Sequence, residues 1–231
     1  ELDLLYWRHM VKKIAANLKD MILGGQDGLV NVLGVVLGLA AATDEMRIIL
    51  AGGLAATFAE SISMAAVAYT STMAHAEYYE SERENEVRSI EQNPEEEIQE
   101  IRDIYAARGF KGKLLNDIVK KITSNKEQWV EVMMMEELRL APADRKGAFS
   151  SAIIVGISSL AGSFVPLLPF FFFDIRTSVI VSIIFSGVIL FAAGAYKAKI
   201  TVGSWIKSGA QLLVIGLVSA FLGYFVGDFV G

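Results

Sequence analysis

Five long apolar runs, residues 21–43, 48–74, 147–173, 177–196 and 208–227, account for 117 of the 231 residues and hold only two charged side chains, Asp27 and Glu60. The remaining 114 residues carry the other 45 charges. A helix rising about 1.5 Å per residue needs roughly 20 residues to cross about 30 Å of hydrocarbon, and every run is that long. Barrel strands would be about 9–11 residues of alternating polarity. These runs are unbroken and rich in Leu, Ala, Val and Gly. The expected fold is therefore all-α: a polytopic membrane protein with five transmembrane helices and a helical, polar insert between the second and third.

The charge distribution sets the expected orientation. Four Lys or Arg precede the first run, twelve lie between the second and third and three between the fourth and fifth, whereas the intervening loops hold only Arg47 and Arg176. Basic residues are retained on the cytosolic side of short loops, so the N-terminus and the insert are expected in the cytosol. Residues 1–20 read as an interfacial amphipathic helix, with Trp7, Met10, Val11, Ile14 and Leu18 at helical spacing. Residues 21–74 form the first two spans, 75–146 the cytosolic insert and 147–231 the last three spans. The second helix is expected to run on to Gln92, because residues 54–92 contain no Gly or Pro; Asn93-Pro94 then stops it. Three shorter helices should follow, at 95–107, 111–123 and 126–140.

Composition narrows the chemistry. With no cysteine there are no disulfides, thiolate zinc sites or iron–sulfur ligands. A net charge of −5 disfavours a nucleic-acid partner. Any metal must be held by oxygen, imidazole or thioether. In the first run Asp27 and Asn31 share a helix face with Gly24, Gly28, Gly34 and Gly38, and such small-residue pairs let helices approach closely. That stripe is expected to meet another helix, with the same helix of a second subunit as one option. Asp27 reads either as an interfacial cap or as a polar pathway residue, since an intramembrane acid is costly unless it is used. In the second run Glu60 and Met64 lie four residues apart. Carboxylate plus thioether suits a borderline cation such as Fe²⁺, although a methionine in an apolar helix also serves simply as packing.

The insert carries eleven acids between Glu77 and Asp103, opposed there by Arg83, Arg88 and Arg102. Glu82 and Glu86, at i,i+4, and Glu97 and Glu100, at i,i+3, repel one another along a helix unless a cation neutralises them; a solvated acidic face is the plainer alternative. Met133, Met134, Glu136 and Glu137 then bring thioethers and carboxylates together a second time.

Asp27-Gly28-Leu29 opening the first span, Ile62-Ser63-Met64 in the second, the Glu-rich helix up to Pro94, and Trp129 to Leu138 in the third insert helix occur in that order. Together they resemble the vacuolar iron transporter family, over nearly the whole chain from about Asn17. The resemblance implies a homodimer through the first transmembrane helix, with Asp27 and Met64 lining a path between subunits. It also implies a cytosolic metal-binding domain using Glu86, Glu97, Glu100, Met133, Met134 and Glu137. The implied activity is secondary active transport, not enzymatic catalysis: export of Fe²⁺ from the cytosol in exchange for protons, with Mn²⁺, Zn²⁺ and Co²⁺ as further ions, no prosthetic group, and a vacuolar or prokaryotic cell membrane as location. Ser89 departs from the pattern, standing where plant-type members have another glutamate, so Glu82 is a candidate replacement. Glu60 lies closer to the methionine than the membrane glutamate of those members does, and so rests on its own chemistry. His75 reads as structural. The rival function is a membrane-anchored ferroxidase, or an iron-storage or sensing protein, built on the same glutamates; di-iron bundles pair Glu with Glu-x-x-His, which the insert lacks.

Overall fold

A computed structural model describes residues 2–142, 145–201 and 203–231, with side chains described from Asn17 onward. Eight α-helices and one 3₁₀ turn make up these residues, and no strand occurs among them. The helices are α1 (Leu2–Ala42), α2 (Met46–Gln92), α3 (Pro94–Ala107), α4 (Gly112–Thr123), α5 (Lys126–Glu136), α6 (Ala148–Leu167), α7 (Ile175–Ile200) and α8 (Trp205–Val230). The 3₁₀ turn Leu168–Phe171 extends α6. Five of the helices contain apolar segments long enough to cross a membrane: Asn17–Ala42, Met46–Gln92, Ala148–Phe171, Ile175–Ile200 and Trp205–Val230. The backbone of residues 2–20 is helical and continuous with the first span. The proposed apolar face of Trp7, Met10, Val11 and Ile14 lies outside the described side chains.

The chain divides into two compact units, residues 1–69 with 149–231, and residues 70–148. In the first, apolar unit α1 is the central helix. Its residues Val32 and Val36 pack with Ile49 of α2, Leu167 of α6 and Phe170. Leu29 meets Leu190 of α7 and Leu212 of α8, while Leu33 and Leu37 meet Ala220 of α8. The glycine stripe permits this crowding. A methyl group on Gly28 would stand 2.3 Å from the Ser159 carbonyl oxygen of α6, and one on Gly38 would stand 2.8 Å from the Gly223 carbonyl oxygen of α8. The stripe is thus occupied by two helices of the same chain: Gly24 and Gly28 abut α6, and Gly34 and Gly38 abut α8.

The second, polar unit has its own core. Ile90 from the charged end of α2, Ile101 of α3, Leu115, Val119 and Ile122 of α4, and Trp129, Val130, Met133 and Met134 of α5 are buried together. α2 is a single helix of 47 residues, too long for one crossing, and its side chains change from apolar to charged beyond residue 74. It ends at the expected place, where Asn93 N–H bonds to the Ser89 carbonyl at 2.8 Å and Pro94 opens α3. The Asn125 side chain caps α5 by accepting from Gln128 N–H at 3.0 Å. α5 differs from expectation at its other end, stopping at Glu136 rather than reaching residue 140. There Arg139 takes a left-handed conformation (φ 55°), and the amides of Leu138 and Leu140 turn back to the carbonyls of Met133 and Met134. That turn leaves Glu137 as the C-terminal cap of α5, at the rim of the unit's core.

Candidate metal sites

Each unit gathers acids of its own. In the apolar unit Asp27 on α1 and Glu60 on α2 meet, their carboxyl groups close enough to interact directly. Asn31, one turn further along α1, donates its Nδ2–H to Asp27 Oδ2 at 3.2 Å. Asp27 and Glu60 are half-buried and Asn31 is exposed. Two carboxyl groups this close need a positive charge between them, either a proton or a cation, because bare carboxylates at that range repel. Met64 follows Glu60 by one turn on α2 and is half-buried. The neighbouring hydroxyls are already engaged: Thr57 donates to the Gly53 carbonyl at 2.8 Å and Ser61 to the Thr57 carbonyl at 2.7 Å. A further acid, missed in the sequence, lies at Asp20, which accepts from Ser151 Oγ of α6 at 2.6 Å. It is seven residues before Asp27, two turns along the same face of α1, and that spacing was the available signal.

In the polar unit four glutamates from three helices converge. Glu86 on α2 lies close enough to Glu97 on α3, and to Glu100 and Glu137, for their charges to act on one another. Glu100 lies close enough to Glu97 and Glu137 to interact with both. Glu86 and Glu97 are 8% and 5% exposed, unusually low for acids, and Glu86 Oε1 and Glu97 Oε2 are buried without a hydrogen-bond partner. Ser89, one turn past Glu86, donates its hydroxyl to Glu97 Oε1. Burial first, and then the neighbouring charges of Glu97, Glu137 and Glu100, push the Glu86 carboxyl up to about 8. Glu100 is pushed up to about 7, by burial and then by Glu137, Glu97 and Glu96. Glu137 is raised by burial and by Glu97, with Glu100 acting in the opposite direction. Among the described residues no three acidic or imidazole groups already stand at coordinating distance of one point.

The sequence-derived set is therefore divided. Glu86, Glu97, Glu100 and Glu137 come together. Glu82 is half-buried one turn earlier on α2, outside the interacting four. Met133 and Met134 are fully buried side chains of the apolar core, packed with Trp129, Ile90 and Ile101. His75 is exposed on α2. Glu136, adjacent to the cluster in sequence, is instead tied to Arg108 by a two-pronged salt bridge, with Nη1 to Oε1 at 2.9 Å. Chemically, both sites offer hard oxygen donors, and in both a divalent cation would compete directly with protons.

Comparison with known proteins places these features in a family. The sequence profile of the VIT family matches residues 18–228. Vacuolar iron transporter 1 of Eucalyptus grandis is 30% identical over 204 residues, covering 88% of this chain and 82% of its own length. Vacuolar iron transporter 2 of Oryza sativa subsp. japonica is 31% identical over 224 residues, covering 94% and 89%. Protein CCC1 of Saccharomyces cerevisiae is 28% identical over 223 residues, covering 93% and 69%.

Proposed function

The chain belongs to the VIT family, and from that premise we propose that it is a secondary active transporter carrying Fe²⁺, with Mn²⁺ as a second cargo, out of the cytosol in exchange for protons. The convergence of Glu86, Glu97, Glu100 and Glu137 is the observation that carries this reading, because burying unpartnered carboxyl oxygens is costly without a cation to meet them. Relatives named as iron transporters point to iron as that cation.

In this reading the polar unit lies in the cytosol, as the distribution of Lys and Arg requires, and collects the ion. The raised Glu86 and Glu100 groups carry protons near neutral pH, so each captured cation releases protons. The ion passes next to Asp27 and Glu60, with Met64 as a thioether ligand one turn away. Protons arriving from the acidic side then displace it, because one carboxyl pair cannot hold both. A second copy of the chain covers the exposed Asn31 edge of α1 and closes the path, since an amide bonded to a carboxyl is not left facing lipid.

The test is uptake by proteoliposomes containing purified protein, supplied with Fe²⁺ or Mn²⁺ under an imposed pH gradient. Metal accumulation that follows the gradient and disappears with Asp27→Asn supports the reading. Gradient-independent accumulation defeats proton exchange, and undiminished flux in the variant removes Asp27 from the path.

A further inference from the structure

Resting on the reading of the four-glutamate cluster as a cation site, we propose that Ser89 is a positioning residue that determines its selectivity. The Ser89 hydroxyl ties down one oxygen of Glu97, fixing the rotation of the carboxyl so that it meets a cation chiefly through the other oxygen. That arrangement favours small divalent ions over calcium.

The geometry is built into the α2–α3 junction. Asn93 N–H bonds to the Ser89 carbonyl at 2.8 Å, and the Asn93 carbonyl in turn accepts from Glu97 N–H at 3.2 Å. Backbone bonds thus fix the two residues in register across the turn, and the Ser89 hydroxyl completes the link by donating to Glu97 Oε1. At 5% exposure the Glu97 side chain cannot escape to water, and its remaining oxygen, Oε2, is buried and unpartnered. Ser89 also sits one turn past Glu86, whose own buried oxygen lacks a partner, so the hydroxyl lies on the helix face that carries the site. A hydroxyl has a single proton to donate, and Glu97 takes it.

The consequence for selectivity follows from coordination chemistry. Calcium accepts about 6–8 oxygens and readily uses carboxylates in two-oxygen fashion, whereas smaller divalent ions demand fewer, shorter and more regular bonds. A carboxyl held in one rotation by a bond to one oxygen keeps lone pairs on both, but it presents the other as its free oxygen and is disfavoured for the symmetric two-oxygen grip that calcium uses. Removing the hydroxyl frees Glu97 to rotate and to present both oxygens, which relaxes the penalty against calcium while loosening the hold on a smaller ion. Partners that orient ligands in this way typically account for about 10- to 100-fold in metal affinity.

The test uses the purified full chain, with Mn²⁺ and Ca²⁺ binding measured by calorimetry on the wild type, Ser89→Ala, Ser89→Thr and the double variant Glu86→Gln/Glu97→Gln. Binding heat lost in the double variant reports the cluster. Ser89→Ala is expected to weaken Mn²⁺ binding at that site by about 10-fold while leaving Ca²⁺ binding equal or tighter, and Ser89→Thr, which keeps the hydroxyl, should restore the wild-type ratio. Wild-type binding with an unmoved Mn²⁺ to Ca²⁺ ratio in Ser89→Ala overturns the clamp alone, as does a Thr variant that behaves like Ala. If the wild type shows no heat beyond that of the double variant, the cation-site reading fails, and the clamp with it.

Discussion

The apolar unit brings two of its acids together and the polar unit brings together four, and the contrast reflects what each environment charges for a carboxyl group. In a segment long and apolar enough to span a bilayer, each ionisable side chain costs about 2.5–3.5 kcal/mol on insertion scales, so acids are few there: Asp27 and Glu60 meet beside one amide, Asn31, and Asp20 takes a serine hydroxyl. Beside water, four glutamates can be collected on three helices and held near one another by a core of Ile, Val, Trp and Met.

The largest expected effect separates the two sites. Asp27→Asn should reduce Fe²⁺ flux in proteoliposomes to the protein-free background while leaving cation binding at the glutamate cluster intact by calorimetry. Loss of both would mean that the two sites are not distinct. The reciprocal variant, Glu86→Gln with Glu97→Gln, should weaken cluster binding by at least about 10-fold yet leave transport measurable at saturating metal; a complete block would show that the cluster is part of the path itself.

Packing comes next. Gly28→Leu forces a side chain against the Ser159 carbonyl and should destabilise the apolar unit by about 1–3 kcal/mol or more, read as a lowered Tm, with cluster binding unchanged. An unshifted Tm would mean that α1 and α6 can separate freely.

A smaller effect concerns pH. Burial and neighbouring charge raise the carboxyls of Glu86 and Glu100 above the ordinary glutamate range, to about 8 and about 7. Between those limits the folded chain binds more protons than the unfolded one. Stability should therefore fall as pH rises from about 5 to 8, and saturating Mn²⁺ should flatten that slope. A metal-free Tm that is level across this window would show that the four carboxyls do not crowd one another. Smallest of all, Met133→Leu should change stability by less than about 1.5 kcal/mol and leave Mn²⁺ affinity alone, because the thioether lies in the core. A large loss of affinity would return sulfur to the ligand set.

Much of this was visible in the sequence because it depends on local periodicity. Run length marked the five spans, the missing Gly and Pro after residue 54 marked the long α2, and i,i+3 and i,i+4 spacing marked Glu97 with Glu100. What escaped depends on how helices turn toward one another. Asp27 and Glu60 lie 33 positions apart, and no spacing rule says that α1 and α2 face each other there. Met133 and Glu137 share a face by count, but the helix ends between them at Glu136 and the chain turns through a left-handed Arg139 just beyond, where no glycine announces the stop. The methionines then turn into the core and the glutamate faces the cluster. Ser89 looked like a lost ligand, and the structure gives it a bond to Glu97 that composition could not reveal.

The glycines of α1 carry a mechanical consequence. With its backbone seated in notches of α6 on one flank and α8 on the other, α1 resembles a keyed shaft: it can neither slide along its axis nor roll without lifting out of both keyways. Any sliding or rolling of α1 would therefore have to carry α6 and α8 with it.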